Sequence, residues 1–256
     1  AFALDSRLEM QNHTIEGLID NLQHYLKQHV FSSTVQEWLE LRGNENLLQW
    51  ALQTDTIAAK AIHQIAKNGW AGQGNANIQH LAKLDSELLL VEFAGENATS
   101  FIAEPKWQGH CYETTSLSRQ HKHPLVQSFY QQYQGSLMTR WLARLVELAS
   151  IPQQLSAMFN NINDATISDR PNKQLNIGIA QVETARGRLV HRVVMAQGLI
   201  SQYQILAPTE WNFHPQGLIT QSLANLITDD KTELRQLAKL MINAIDPCVG
   251  YQLRLH

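Results

Sequence analysis

The chain has 256 residues, with 20 basic and 23 acidic side chains giving a formal net charge of −3. That length can bury a substantial core as one large domain or two small ones. Near-balanced charge without a basic run argues against nucleic acid as the main partner. No apolar stretch approaches the roughly 20 residues that cross a bilayer, and no signal peptide or twin-arginine start is visible. The cysteines, Cys111 and Cys248, lie far apart and do not read as a disulfide framework, so a reducing cytoplasm is the expected home.

The chain opens at Ala1 within a helical pattern, and we expect it to be a fragment of a longer protein. Leu4, Leu8, Ile15, Leu18, Ile19, Leu22, Tyr25 and Leu26 recur at helical spacing and predict one or two helices over 2–30. Two more are expected near 33–53 and 55–68, ending at the Asn68-Gly69 breaker. The short apolar run Leu88 to Phe93, bounded by Gly95, predicts a strand, and Ser100 to Ile102 a second extended piece. The helical period returns from Pro124 to about Asn160, with interruptions expected at Gly135 and Pro152. Leu137, Trp141, Leu142, Leu145, Val146, Leu148 and Ala149 form its buried face.

The period then changes to two. Leu175 to Val182 predicts a strand, and Leu189 to Met195 pairs with Leu199 to Leu206 across a turn at Gln197-Gly198. A final helix is expected to start near Thr228-Asp229, which is good N-cap chemistry. It carries Leu234, Leu237, Leu240, Met241, Ala244 and Ile245 on one face and stops at Pro247. The sum is an α+β fold, helical first, with a small antiparallel hairpin region in the C-terminal half.

The chemistry concentrates in the tail, Asp246-Pro247-Cys248-Val249-Gly250-Tyr251-Gln252-Leu253-Arg254. A cysteine just past a proline-stopped helix end presents an exposed thiol, though a lone cysteine is more often a small apolar filler. The tail resembles the C-terminal signature of nickel–iron hydrogenase large subunits, Asp-Pro-Cys-x-x-Cys-x-x-His/Arg, with Tyr251 at the second cysteine. Three further segments resemble that family in the same order. Glu113-Thr114-Thr115-Ser116-Leu117-Ser118-Arg119 looks like its Glu-Thr/Val-Gly-Pro-Leu-Ala-Arg segment. Glu183-Thr184-Ala185-Arg186-Gly187 looks like Glu-Ala-Pro-Arg-Gly, with His191 following where the family has a histidine. Leu206-Ala207-Pro208-Thr209-Glu210-Trp211-Asn212 looks like Val-Pro-Ser/Thr-Thr-Trp-Asn. The resemblance spans about 110–254. It divides the chain into 1–109, a helical region with a short strand, and 110–256, a hydrogenase large-subunit-like C-terminal region with a helical core.

The resemblance implies roles residue by residue. Cys248 matches the cysteine that bridges nickel and iron, and Tyr251 the one that binds nickel terminally. An N-terminal Cys-x-x-Cys of the family has no counterpart here. Soft thiolate suits iron or nickel, whereas a phenol oxygen is hard, so nickel is not expected. The iron side keeps more. Arg186 matches the arginine that donates to one cyanide of the iron, and Thr209 the hydroxyl that donates to the other. This asymmetry is similar to the hydrogenase expression/formation proteins of the HupK/HoxV type. It implies a metal-binding maturation scaffold, or chaperone, holding or transferring an Fe(CN)2CO fragment. The expected partners are hydrogenase maturation proteins and the hydrogenase large subunit, with no membrane insertion. The printed sequence stops two residues after Arg254, so we expect no extension for a maturation protease to cut. The alternatives are a diverged hydrogenase-like catalytic subunit and a metal-free interaction protein on the same fold.

Other residues stay open at this point. Cys111, with His110, His121 and His123, is either a second metal site or a set of loop side chains. Arg119 is either a carboxylate's structural partner or a ligand contact. Tyr251 is either a packed aromatic or a hydrogen-bonding group.

Overall fold

The computed structural model describes residues 7–161 and 176–255. Helix α1 (Arg7–Leu26) runs into a π-helical turn (Lys27–Phe31) that ends where Ser32 turns left-handed. Helix α2 (Val35–Leu39) starts in a capping box, in which Thr34 and Glu37 satisfy each other's backbone donors. Gly43, at φ 72°, separates it from α3 (Gly43–Gln53), so the span 33–53 holds two helices rather than one. Thr56 caps α4 (Ile57–Lys67) by accepting from Ala59 N.

Strand β1 (Gln79–His80) is followed by α5 (Ser86–Ala94) and α6 (Ala98–Ala103), where strands were expected. The physical reason is local. Asp85 accepts from Glu87 N and Leu88 N, a helix cap that overrides the short apolar run. Leu89 and Phe93, four apart, are buried while Leu88 and Val91 stay exposed. An apolar run of this length fits either period, so periodicity alone could not decide. The short strand of the first 109 residues is instead β1, paired in parallel with β2 (Tyr112–Glu113).

Helices α7 (Ser116–Gln120), α8 (Pro124–Tyr133) and α9 (Leu137–Asn160) follow. Gly135 does separate α8 from α9, but Pro152 sits inside α9 without breaking it. Proline removes one helical hydrogen bond; here Pro152 is itself buried, and the Leu137–Ala149 face holds the helix on the core. Strands β3 (Ile177–Thr184), β4 (Gly187–Ala196) and β5 (Leu199–Leu206) form an antiparallel sheet in that order. Gln197 and Gly198 both take positive φ, as a two-residue hairpin turn requires. Helices α10 (Pro208–Asn212), α11 (Leu218–Ala224) and α12 (Lys231–Ile245) complete the chain. The cap of α12 is Asp230, slightly later than expected, and its buried face carries Leu237, Met241, Ala244 and Ile245 as read from sequence. Leu4 and Leu175 lie outside the described residues.

The main apolar core draws Phe31, Trp38, Leu47 and Ile62 together with Leu117, Leu142 and Met241, so it crosses the 109/110 division. A smaller cluster, including Leu89, Phe93, Val190 and Trp211, packs α5 and α6 under the sheet. Among the described residues no helix is long and apolar enough to cross a membrane.

A buried ion pair ties β2 to α9. Glu113 and Arg140, each 1% exposed, share two hydrogen bonds of 2.9 Å. Thr115 Oγ1 donates to Glu113 Oε1 at 2.5 Å. Burial alone would raise the Glu113 carboxyl, but the Arg140 charge and hydrogen bonds outweigh it and hold the carboxyl below its ordinary range. Removing one partner leaves an uncompensated buried charge, so Glu113→Gln should cost about 3–5 kcal/mol in urea unfolding. Because the folded-state value is depressed, this stabilisation is present above the ordinary carboxylate range. It is lost as pH falls through the lower folded value. The Glu113→Gln variant should lack that part of the acid dependence.

Candidate functional site

The site is assembled around the backbone of Thr114. Thr114 N donates to Asn212 Oδ1 at 2.8 Å, and Asn212 Nδ2 donates to Thr114 O at 3.3 Å and to Arg186 O at 3.4 Å. Arg188 N donates to Thr114 Oγ1 at 2.8 Å. Gly187 lies against the same residue at φ 127°, and a Cβ there would sit 1.9 Å from Thr114 O. Only glycine permits both that backbone angle and that approach. Three of the four family-like segments therefore interlock through main-chain contacts. The fourth joins through Asp246, whose Oδ2 lies 3.6 Å from Arg186 Nε and 3.3 Å from Arg144 Nη2.

A cleft of about 930 Å³ opens beside this junction. Ser116, Arg119, Glu147, Glu183 and Asp246 line its charged end, and Val30, Ile57, Trp141 and Leu148 contribute apolar wall. Arg119 is bound as a structural partner. It pairs with Glu147, and its Nη2 donates to Glu147 Oε2 and to Ala185 O, each at 2.8 Å. Ser116 Oγ adds a 2.5 Å bond to Glu147. Glu183 pairs with Arg188 and lies 3.7 Å from Arg119 Nη1.

The residues read from sequence fall around this junction with different exposure. The Arg186 side chain is 47% exposed. Thr209, in the first turn of α10, has a buried Oγ1 with no hydrogen-bond partner among the described residues. Cys248 is exposed, beyond the left-handed Asp246 that ends α12. Arg186 is thus tied to the helix of Thr209 through Asn212 and to the segment of Cys248 through Asp246. None of Arg186, Thr209 and Cys248 lines the cleft, so the three do not share it. Tyr251 is exposed, its hydroxyl 3.5 Å from Asn243 Oδ1.

Asn212 and Asp246 lay inside the family-like segments yet carried no assigned role. Arg144 and Glu147 gave no sequence signal, because on a helix they read as an ordinary polar face. The histidines near Cys111 have local duties: His121 Nδ1 bonds Ser118 O at 2.8 Å, and His123 Nδ1 accepts from Leu125 N. Cys111 instead meets His214, Sγ to Nδ1 at 3.4 Å. Burial pushes the Cys111 thiol up and the His214 imidazole down, which favours a neutral pair. Among the described residues no group of three His, Cys, Asp or Glu side chains could hold a metal ion.

The interlocked segments define a hydrogenase-type large-subunit scaffold, and comparison with known proteins agrees. The nickel-dependent hydrogenase family matches residues 24–251, and the chain belongs to that family. Within it, the chain is 30% identical over 243 residues to the hydrogenase expression/formation protein HoxV of Cupriavidus necator, covering 89% of this chain and 60% of HoxV. It is 37% identical over 78 residues to HupK of Azotobacter vinelandii, covering 30% of this chain and 22% of HupK. The hydrogenase-2 large chain of Escherichia coli is 31% identical over 237 residues, covering 77% and 41% of the two chains. The Ni-Fe-Se hydrogenase from D. vulgaris Hildenborough superposes with a TM-score of 0.43 at 22% identity, over 57% of this chain and 36% of that one. The chain thus spans less than two thirds of the length of these relatives.

The junction makes Gly187→Ala a direct test of the assembly. The added methyl must push Thr114 away, and overpacking of this kind costs about 1–3 kcal/mol, occasionally more. Thermal unfolding should show that loss, whereas alanine at the open, negative-φ Gly178 should cost less.

Proposed function

We propose that the chain serves as a non-catalytic scaffold in nickel–iron hydrogenase maturation, holding or transferring the Fe(CN)2CO fragment as cargo. The observation that carries this reading is the Thr209 hydroxyl, buried without a partner among the described residues. Leaving such a group unsatisfied costs about 1–3 kcal/mol, and an acceptor brought by a ligand removes the penalty. Arg186 supports it: among the described residues its guanidinium meets only Asp246, through Nε at 3.6 Å. The rest of its fork is available to an anionic ligand. In this reading Cys248 anchors the iron through its thiolate, while Arg186 and Thr209 donate to the cyanides. Tyr251 offers a hard phenol oxygen where nickel needs a soft thiolate, so the site suits iron and not nickel. The names of the HoxV and HupK relatives support the maturation role. The partners are then hydrogenase maturation proteins and the large subunit being assembled, in a reducing cytoplasm.

The test is infrared spectroscopy with iron analysis on the full-length protein, co-produced with the cofactor-making machinery and purified without oxygen. Wild type should show carbonyl and cyanide bands and contain iron. Cys248→Ser exchanges a soft thiolate for a hydroxyl and should remove both signals. Arg186→Ala should weaken loading roughly 10–100-fold, the usual effect of losing a group that supports a ligand. Unchanged bands in Cys248→Ser would sink the assignment. The same preparation should catalyse no hydrogen–deuterium exchange, and sustained exchange would favour a catalytic subunit instead.

A further inference from the structure

The end of α12 is held by a second arginine that sequence reading overlooked. A helix leaves its last carbonyls without internal partners. Here two side chains of α9, three residues apart and so on one face, reach across to the last two turns of α12, one of them to such a carbonyl. Trp141 Nε1 donates to Leu240 O at 3.2 Å, and Arg144 Nη1 donates to Asn243 O. The Arg144 guanidinium carbon stands 5.6 Å from the Trp141 ring centroid, within cation–π range.

The next residue is conformationally costly. Asp246 takes φ 62° and ψ 72°, a left-handed geometry that L side chains avoid, immediately before Pro247. Its amide donates to Ile242 O at 2.9 Å, and its carboxylate supplies the other hold. The same oxygen, Oδ2, faces Arg144 Nη2 at 3.3 Å and Arg186 Nε at 3.6 Å. One carboxylate set against two guanidinium groups leaves a net positive charge around Asp246, two residues before Cys248.

We propose that Arg144 is a positioning residue for the iron-fragment site. It fixes the turn that presents Cys248 and takes up the Asp246 charge, which leaves Arg186 open to an anionic ligand. The proposal rests on the scaffold reading for its ligand but not for the turn. Without Arg144, Asp246 is free to close on Arg186 alone, and the resulting neutral pair offers less to an anion. Lysine restores the charge but, as a single point donor, does not span both Asn243 O and the Asp246 carboxylate.

The experiment compares wild type, Arg144→Gln, Arg144→Lys and the double variant Arg144→Gln/Asp246→Asn, all in the full-length protein. Without cargo, hydrogen exchange of the Asp246 amide should be several-fold faster in Arg144→Gln. Loaded with the iron fragment, Arg144→Gln should contain several-fold less iron and show a shifted cyanide band. Arg144→Lys should recover part of the iron. Adding Asp246→Asn to Arg144→Gln removes the competing charge and should return the cyanide band toward its wild-type position. Unchanged exchange at Asp246 in Arg144→Gln overturns the proposal. So does a cyanide shift that Asp246→Asn leaves in place, because Arg144 would then be a clamp with no bearing on Arg186. A wild type without diatomic bands refutes the scaffold reading alone, and the exchange rate then decides whether Arg144 fixes the turn.

Discussion

The backbone of Thr114 is the point on which the site's geometry depends. Its amide and carbonyl are taken by one asparagine side chain, its hydroxyl by the Arg188 amide, and the space above it by a glycine with no side chain. These contacts are buried or partly buried and directional, and a mismatch at any of them strands a main-chain polar group or forces a clash. Segments about a hundred residues apart in sequence are brought to one place by this means. The Glu113–Arg140 pair reinforces the arrangement, pinning the residue before Thr114 to α9.

Charge is organised on the same frame. Arg119, Arg144, Arg186 and Arg188 meet Glu147, Glu183 and Asp246, and most of these groups are paired within the protein. Pairing is incomplete at Arg186, which meets Asp246 through Nε, and at the Thr209 hydroxyl, which has no partner among the described residues. In the proposed scaffold role this lopsided chemistry would favour iron over nickel. Donors suited to anionic ligands remain, one soft anchor remains, and the position that would give nickel a second thiolate carries a tyrosine.

Much of the frame was legible in sequence, and the reasons for the exceptions are physical. The late hairpin followed from strict alternation and a Gln-Gly turn, because period two with a positive-φ pair admits few other structures. The α5 segment was misread, since Leu88 to Phe93 fits a strand and a helix equally well by apolar content. The decision lay in the carboxylate of Asp85, one residue outside the helix. Pro152 misled in the opposite sense, since burial of the proline itself and of the Leu137–Ala149 face before it outweighs one missing donor. In the site, motif order pointed to Arg186, Thr209 and Cys248, but no pattern pointed to a role for Asn212 or Asp246, whose contacts exist only once the segments have met. Arg144 and Glu147 were invisible for the same reason.

The account stands or falls on what atom holds the iron. X-ray absorption at the iron edge of the full-length protein, purified without oxygen, reads that directly. The account predicts sulfur in the iron's first coordination sphere together with the short carbon neighbours of diatomic ligands, and loss of the sulfur contribution in Cys248→Ser. Iron surrounded only by oxygen and nitrogen, or a sulfur contribution that survives Cys248→Ser, would contradict it.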